Sequence, residues 1–173
     1  MDTIAFLREQ LGMARAFLAG TLADVDAEAA HAPAPGRLNP IAATYTHLVV
    51  GEDGFVNGIV RGTAPLFAAK WSGRTGISEL PPAGPGWSEW GRGVRVDLAA
   101  LRWYADAVAQ STDRFVASLS PNDLDRAVDL GAFGFGKWSL GCVLGAGVLG
   151  HLLSHRGEVA ALKGLQGGTG FPR

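Results

Sequence analysis

The sequence predicts an all-α fold: a four-helix bundle with a long loop between helices 2 and 3. Three observations carry this expectation. Apolar residues recur at steps of three and four through four long segments, those segments begin or end at capping and breaking residues, and no stretch shows the period-two alternation of a half-buried strand. With 47% hydrophobic and 18% charged residues in 173, the chain can bury a substantial core without staples, and it reads as one domain over residues 1–173.

The first helix is expected over residues 3–24, where Ile4, Leu7, Leu11, Leu18 and Leu22 form a stripe and Arg8, Glu9 and Arg15 lie off it. An Ala/Pro-rich linker follows, in which His31 reads as solvated. Asn39-Pro40 then reads as an N-cap followed by proline at the first helical position, where the missing N–H costs nothing. The second helix runs on to about Val60, with Ile41, Tyr45, Leu48, Phe55 and Ile59 on one stripe.

Residues 61–96 contain "LPPAGPGW" together with Trp71, Trp87 and Trp90. A connection this long is usually either disordered or a functional lid or binding loop, and three tryptophans argue against disorder. They are expected to pin the loop onto the bundle, with lid function as a secondary consequence. Asp97 caps a third helix in which Leu98, Leu101, Ala105, Val108, Thr112, Phe115 and Leu119 follow the spacing of antiparallel bundles. Ser120 and Pro121 open a short helical turn. Ser139 caps a fourth helix that runs to about Leu165 and stops at Gly167-Gly168. Gly141, Gly145, Gly147, Gly150, Gly157 and Gly164 lower its propensity, and close helix approach, within the bundle or across a dimer, is the expected reason.

Composition excludes several function classes. Fifteen Lys and Arg nearly balance sixteen Asp and Glu with no block of like charge, so neither nucleic acid nor an anionic membrane is an expected partner. Asp2, Arg8 and Glu9 break the apolar run that a secretory signal needs, and the uncharged stretch 138–155 falls short of a membrane span. The single cysteine, Cys142, excludes an internal disulfide and a cysteine-rich metal site; it reads as a buried structural thiol. A cytoplasmic location is expected. "GAFGFGKWS" spaces its glycines and Lys137 like a phosphate-binding loop, but Trp138 stands where a hydroxyl should hold magnesium, so a nucleotide site is not expected.

The candidate chemistry lies in the histidines. On the fourth helix the inward stripe reads Leu144, Val148, His151, His155, Glu158 and Leu162, which puts two of only four histidines where core leucines belong. Side chains at i and i+4 share a helix face, close enough for two imidazoles to converge on one cation. The same pattern also fits buried histidines that are merely hydrogen-bonded. His47, on a second-helix ridge with the small residues Thr44, Gly51 and Gly54, is a candidate third ligand or an interhelical hydrogen-bonding group. Three neutral imidazoles would leave coordination positions open, as in catalytic rather than closed structural sites. Glu158 either orients an imidazole and accepts a proton, or pairs with Lys163 or Arg156 at the helix end. Arg156 is expected to point away from the metal, pairing across an interface or holding a loop.

The run "HLLSHRGEVAALKGLQG", with an isolated His47 in the second helix and "LRWYADAV" in the third, resembles the DinB-like family of metal-binding four-helix bundles. The resemblance covers most of the chain. It implies that His47, His151 and His155 bind one divalent metal, zinc or nickel. It also implies a homodimer and relatives that include thiol transferases and mycothiol-dependent maleylpyruvate isomerase, with a low-molecular-weight thiol as a cofactor. The function expected is a metal-dependent reaction on a small-molecule substrate, of thiol S-transferase, isomerase or hydrolase type, with Glu158 as its catalytic carboxylate. The alternative is a non-catalytic bundle in which the metal is structural.

Overall fold

A computed structural model describes residues 2–82 and 86–171. The chain is mostly helical. Helix α1 spans Thr3–Thr21, the short α2 Ala27–His31, and α3 Ile41–Asp53, continued without a break by a π-helical segment Gly54–Val60. Helix α4 is Trp87–Gly93 and α5 is Leu98–Ala117. Strands β1 (Ala127–Asp129) and β2 (Lys137–Ser139) pair antiparallel, with Val128 opposite Trp138. The final helical run is α6 (Leu140–Cys142), a second π segment Val143–Gly150, and α7 (His151–Leu165).

Helices α1 and α3 each pack against both α5 and α7, and the apolar core lies among them. Ile4, Leu11, Leu18 and Leu22 enter that core from the first helix, as their spacing requires. Helix α3 is enclosed on nearly every side, from Ile41 to Thr46 and again at Leu48, Val49 and Val50. Among the described residues no helix is long and apolar enough to cross a membrane.

Caps explain most of the boundaries. The Asp97 carboxylate accepts from Ala99 and Ala100 N–H (2.9 and 3.1 Å), and Ser139 Oγ accepts from Cys142 N–H (3.1 Å), as expected. Asp123 accepts from both the N–H and the hydroxyl of Ser120, which fixes the turn Pro121–Asp125. At the other end of α7, Gly168 N–H returns to Lys163 C=O (2.9 Å) over Gly167, whose φ of +84° suits glycine.

Several expectations are corrected. The first helix stops at Thr21 rather than at residue 24. Pro40, not Asn39, is the N-cap of α3, and the Asn39 side chain makes no capping bond. The connection 61–96 is not a structureless loop: it holds a 3-10 turn Leu66–Ala68, α4, and a bridge between Ile77 and Val96, although residues 83–85 of its proline-rich stretch lie outside the described residues. The β1–β2 hairpin contradicts the absence of strands. Its three-residue strands are too short to show alternation, and the glycines that imitate a phosphate loop are its turn, Gly134 and Gly136 having φ of +79° and +70°. Cys142 is exposed, not buried. His31 is not simply solvated: its Nε2 accepts the Val96 N–H (3.0 Å) while Nδ1–H donates to Ala27 C=O (2.8 Å), tying α2 to the end of the 61–96 segment. Within the single chain, Gly145, Gly157 and Gly164 of the fourth helix do not mark close helix approach, since a Cβ there would meet nothing within 4 Å, whereas one at Gly141 would sit 3.4 Å from Leu124 C=O.

The π segments are the least legible element. Each residue there advances the chain by less than 100° around the axis, so the expected stripe loses phase: Val56, Asn57 and Val60 are buried, while Phe55 and Ile59 are only half-buried. The second segment ends at Gly150, directly before His151, and π insertions are common beside functional sites.

Candidate metal centre

Helices α3 and α7 bring His47, His151 and His155 together, with one potential ligand atom from each ring lying within 4.8 Å of the others. The Nε2 atoms of His47 and His151 are 2.9 Å apart. The three rings meet edge to face, with centroids separated by 4.6 to 5.1 Å. On α7 the i, i+4 spacing does what the sequence demanded of it. On α3, His151 Cε1 sits over Gly51, where a Cβ would make ordinary contact at 3.6 Å.

Electrostatics favour neutral rings. Burial, followed by repulsion from His47 and His155, holds His151 down at about 4, and burial followed by His155 lowers His47. Neutral imidazoles carry the lone pairs that a cation needs. The donor set is therefore chemically suited to a divalent metal, and the His47–His151 Nε2 separation of 2.9 Å is near the roughly 3.3 Å expected between nitrogens on a tetrahedral ion at about 2.0 Å.

Glu158 does not pair with Lys163 or Arg156. Its Oε2 lies 2.6 Å from His155 Nδ1, which leaves His155 Nε2 for the centre of the cluster. Lys163 is buried and instead donates to Thr21 C=O (2.8 Å) and to the Asp24 carboxylate. Arg156 turns away, as expected, bonding Thr21 Oγ1 (3.1 Å) and lying over the rings of Phe17 and Phe171.

The tryptophans divide their work. Trp71 packs on Tyr104, and Trp90 is buried with its indole N–H on Glu79 C=O (3.0 Å), so both pin the 61–96 segment. Trp87 instead stands edge to face on His47 with centroids 4.6 Å apart and forms one wall of the site.

Sequence reasoning missed the polar core beneath the site. Asp53, with no exposed surface, accepts from Tyr104 O–H (2.6 Å), Asn57 Nδ2 (2.7 Å) and the N–H groups of Leu66 and Phe67 (3.0 and 3.1 Å). Glu52 accepts from Arg15 (2.5 Å) and Thr112 (2.6 Å). The available signal was the acidic pair "ED" inside the otherwise uncharged stretch 41–60.

The family profile described as DinB superfamily matches residues 10–159, a span that includes all three histidines. The chain belongs to the DinB superfamily. A conserved protein from Enterococcus faecalis, known from a crystal structure, is similar in shape, with a TM-score of 0.77 and 16% identity over 95% of this chain and 97% of that one. That likeness shows the fold. No curated protein matches. Membership of the DinB superfamily and the three-histidine cluster are together compatible with metal binding.

Proposed function

We propose that the protein binds one divalent cation, zinc or nickel, through His47, His151 and His155, and uses it in a small-molecule reaction of thiol-transfer, isomerisation or hydrolysis type. The observation that carries this reading is the convergence of three imidazoles from two helices on one point, with ligand atoms within 4.8 Å of one another. When bound, such a cation supplies Lewis acidity, which yields a nucleophile at neutral pH from water or a low-molecular-weight thiol.

The chain's own residues have separable roles. Glu158 fixes the His155 ring through Nδ1–H and offers a carboxylate beside the cluster for holding a proton released by the substrate. Trp87 shields His47 and narrows the approach. The apolar core and the Asp53 hub already join α3, α5 and the 61–96 segment, which favours an exchangeable, working cation over one that holds the fold together. A four-helix bundle on a single domain, placed in the cytoplasm, completes the reading. A homodimer is supported by Phe6, Met13 and Phe17, exposed along one face of α1, with Leu153 exposed on the adjoining α7.

The deciding experiment is elemental analysis of tag-free protein prepared without chelator, beside His47→Ala and His155→Ala. About one equivalent of zinc or nickel in the wild type, lost in both variants, is expected for a site of this stoichiometry. A wild type that carries no metal and takes none when offered overturns the proposal. Given metal, a screen of biological thiols against monobromobimane tests the transferase version, and loss of helical circular dichroism on chelation would favour a structural cation.

A further inference from the structure

We infer that Thr44 is a positioning residue for His47: rotation of its side chain brings the hydroxyl, unbonded in this structure, onto the imidazole Nδ1–H and so keeps Nε2 bare and aimed at the cation. This rests on the metal-binding reading above.

The argument begins with which nitrogen is which. His47 Nε2 is the atom that faces His151 Nε2 at 2.9 Å, so Nε2 is the one available to a cation. A neutral imidazole that gives up Nε2 to a metal carries its proton on Nδ1. For His155 the equivalent Nδ1 is held by Glu158. For His47 it is buried with no hydrogen-bond partner among the described residues. Buried donors are rarely left that way, and a metal-ligating histidine almost always donates its second N–H to an acceptor.

Thr44 Oγ1 is a second buried polar atom without a partner, on a residue only 3% exposed. Its behaviour is unusual beside the other buried helical threonines. Thr21 and Thr46 both donate to the carbonyl four residues back, at 2.8 and 2.9 Å, and Thr112 donates to Glu52. Thr44 makes none of these bonds, although its own backbone N–H reaches Pro40 C=O in the ordinary helical way. Its hydroxyl is thus uncommitted where a local partner was at hand.

Placement brings the two groups together. Thr44 and His47 are at i and i+3 on one face, and helical side chains lean toward the N-terminus, so the imidazole lies over the turn that carries Thr44. Glu158, the carboxylate that acts on His47, is taken by His155 Nδ1. Trp87, packed on the ring, has a donor but no acceptor, and Gly51 has no side chain. Asn39 Oδ1 is also unpartnered, but it faces Gly91 and lies eight residues before His47, about 12 Å along the axis.

The test compares wild type, Thr44→Val and Thr44→Ser. Zinc affinity is measured by competition with a chromophoric chelator, the His47 tautomer by nitrogen-15 NMR of the zinc-loaded protein, and the fold by circular dichroism. Valine keeps the shape and removes the hydroxyl: affinity is expected to fall about tenfold or more, with loss of a protected His47 Nδ1–H signal, while serine stays within about twofold of wild type. Wild-type affinity and an unchanged Nδ1–H signal in Thr44→Val overturn the inference. So does an equal loss in both variants, which would assign the effect to packing. If the wild type itself takes no zinc, the metal reading fails and this inference with it, whereas zinc bound equally by all three proteins removes the inference alone.

Discussion

His155 Nδ1 and Glu158 Oε2 stand 2.6 Å apart, a carboxylate–imidazole contact made within one turn of α7. A carboxylate in that position fixes the ring's tautomer and raises the basicity of the opposite nitrogen. Glu158→Gln keeps the length but replaces the charge with an amide that must present its oxygen. Zinc affinity is expected to fall about 10- to 100-fold, as for other carboxylate partners of metal-bound histidines, with helical content unchanged. Titration against a competing chelator checks it. Wild-type affinity in the variant would remove Glu158 from the site.

The lowered His151 and His47 make the metal-free protein sensitive to acid. His151 is held down at about 4 by burial first, then by His47 and His155; His47 is lowered by burial and then by His155. Between about pH 6.5 and pH 4 the unfolded chain therefore binds more protons at His151 than the folded one, so stability falls as pH drops through that window and is fully present above it. Thermal melts of metal-free protein at about pH 7 and pH 5 should show a lower Tm at pH 5, and His151→Asn should narrow the gap. A wild-type Tm that does not fall, or a gap unchanged in the variant, would show that the ring is not buried as described.

Much of this was legible in the sequence for an identifiable reason. His151 and His155 share a face because four residues make nearly one turn, and Asp97 and Ser139 cap because their side chains reach the free N–H groups behind them. What escaped notice depends on distant partners. The one local hint at Asp53 is its place in an otherwise uncharged stretch; the groups that make its burial possible, Tyr104 and backbone N–H groups on the following loop, are distant. The π segments likewise break the constant angle on which stripe reading relies, which is why Phe55 was placed inside and Val56 was not.

Asp53 is expected to matter to the fold more than any histidine. Its carboxylate satisfies two backbone N–H groups of the loop, the Tyr104 hydroxyl and the Asn57 amide. Tyr104 stays protonated throughout, since burial and then the Asp53 carboxylate hold its hydroxyl well above the ordinary phenol range. Asp53→Asn turns an amide N–H₂ toward donors and should cost about 2–4 kcal/mol, whereas Tyr104→Phe removes one bond to a charged acceptor and should cost about 1–2 kcal/mol. Urea denaturation reads both. An Asp53→Asn variant as stable as wild type would contradict the hub.

Two glycines should respond to alanine in opposite directions. Gly76 has φ of +78°, and a Cβ there would sit 2.6 Å from Asp97 O and 2.8 Å from both Ala100 Cβ and Leu101 N. Two of those three atoms are backbone at the start of α5, so they cannot swing aside, and Gly76 C=O also accepts the Asp97 N–H at 2.8 Å. Left-handed strain adds to the clash, and Gly76→Ala should cost about 2–5 kcal/mol. Gly157 lies inside α7 with nothing within 4 Å of its missing Cβ. There alanine only removes unfolded-state freedom, so Gly157→Ala should add about 0.5–1 kcal/mol, or roughly 1–4 °C in Tm for a chain of this size. A loss of stability at Gly157 would mean that something packs there which the single chain does not contain, and a homodimer contact over that turn of α7 would be the first thing to test by sedimentation.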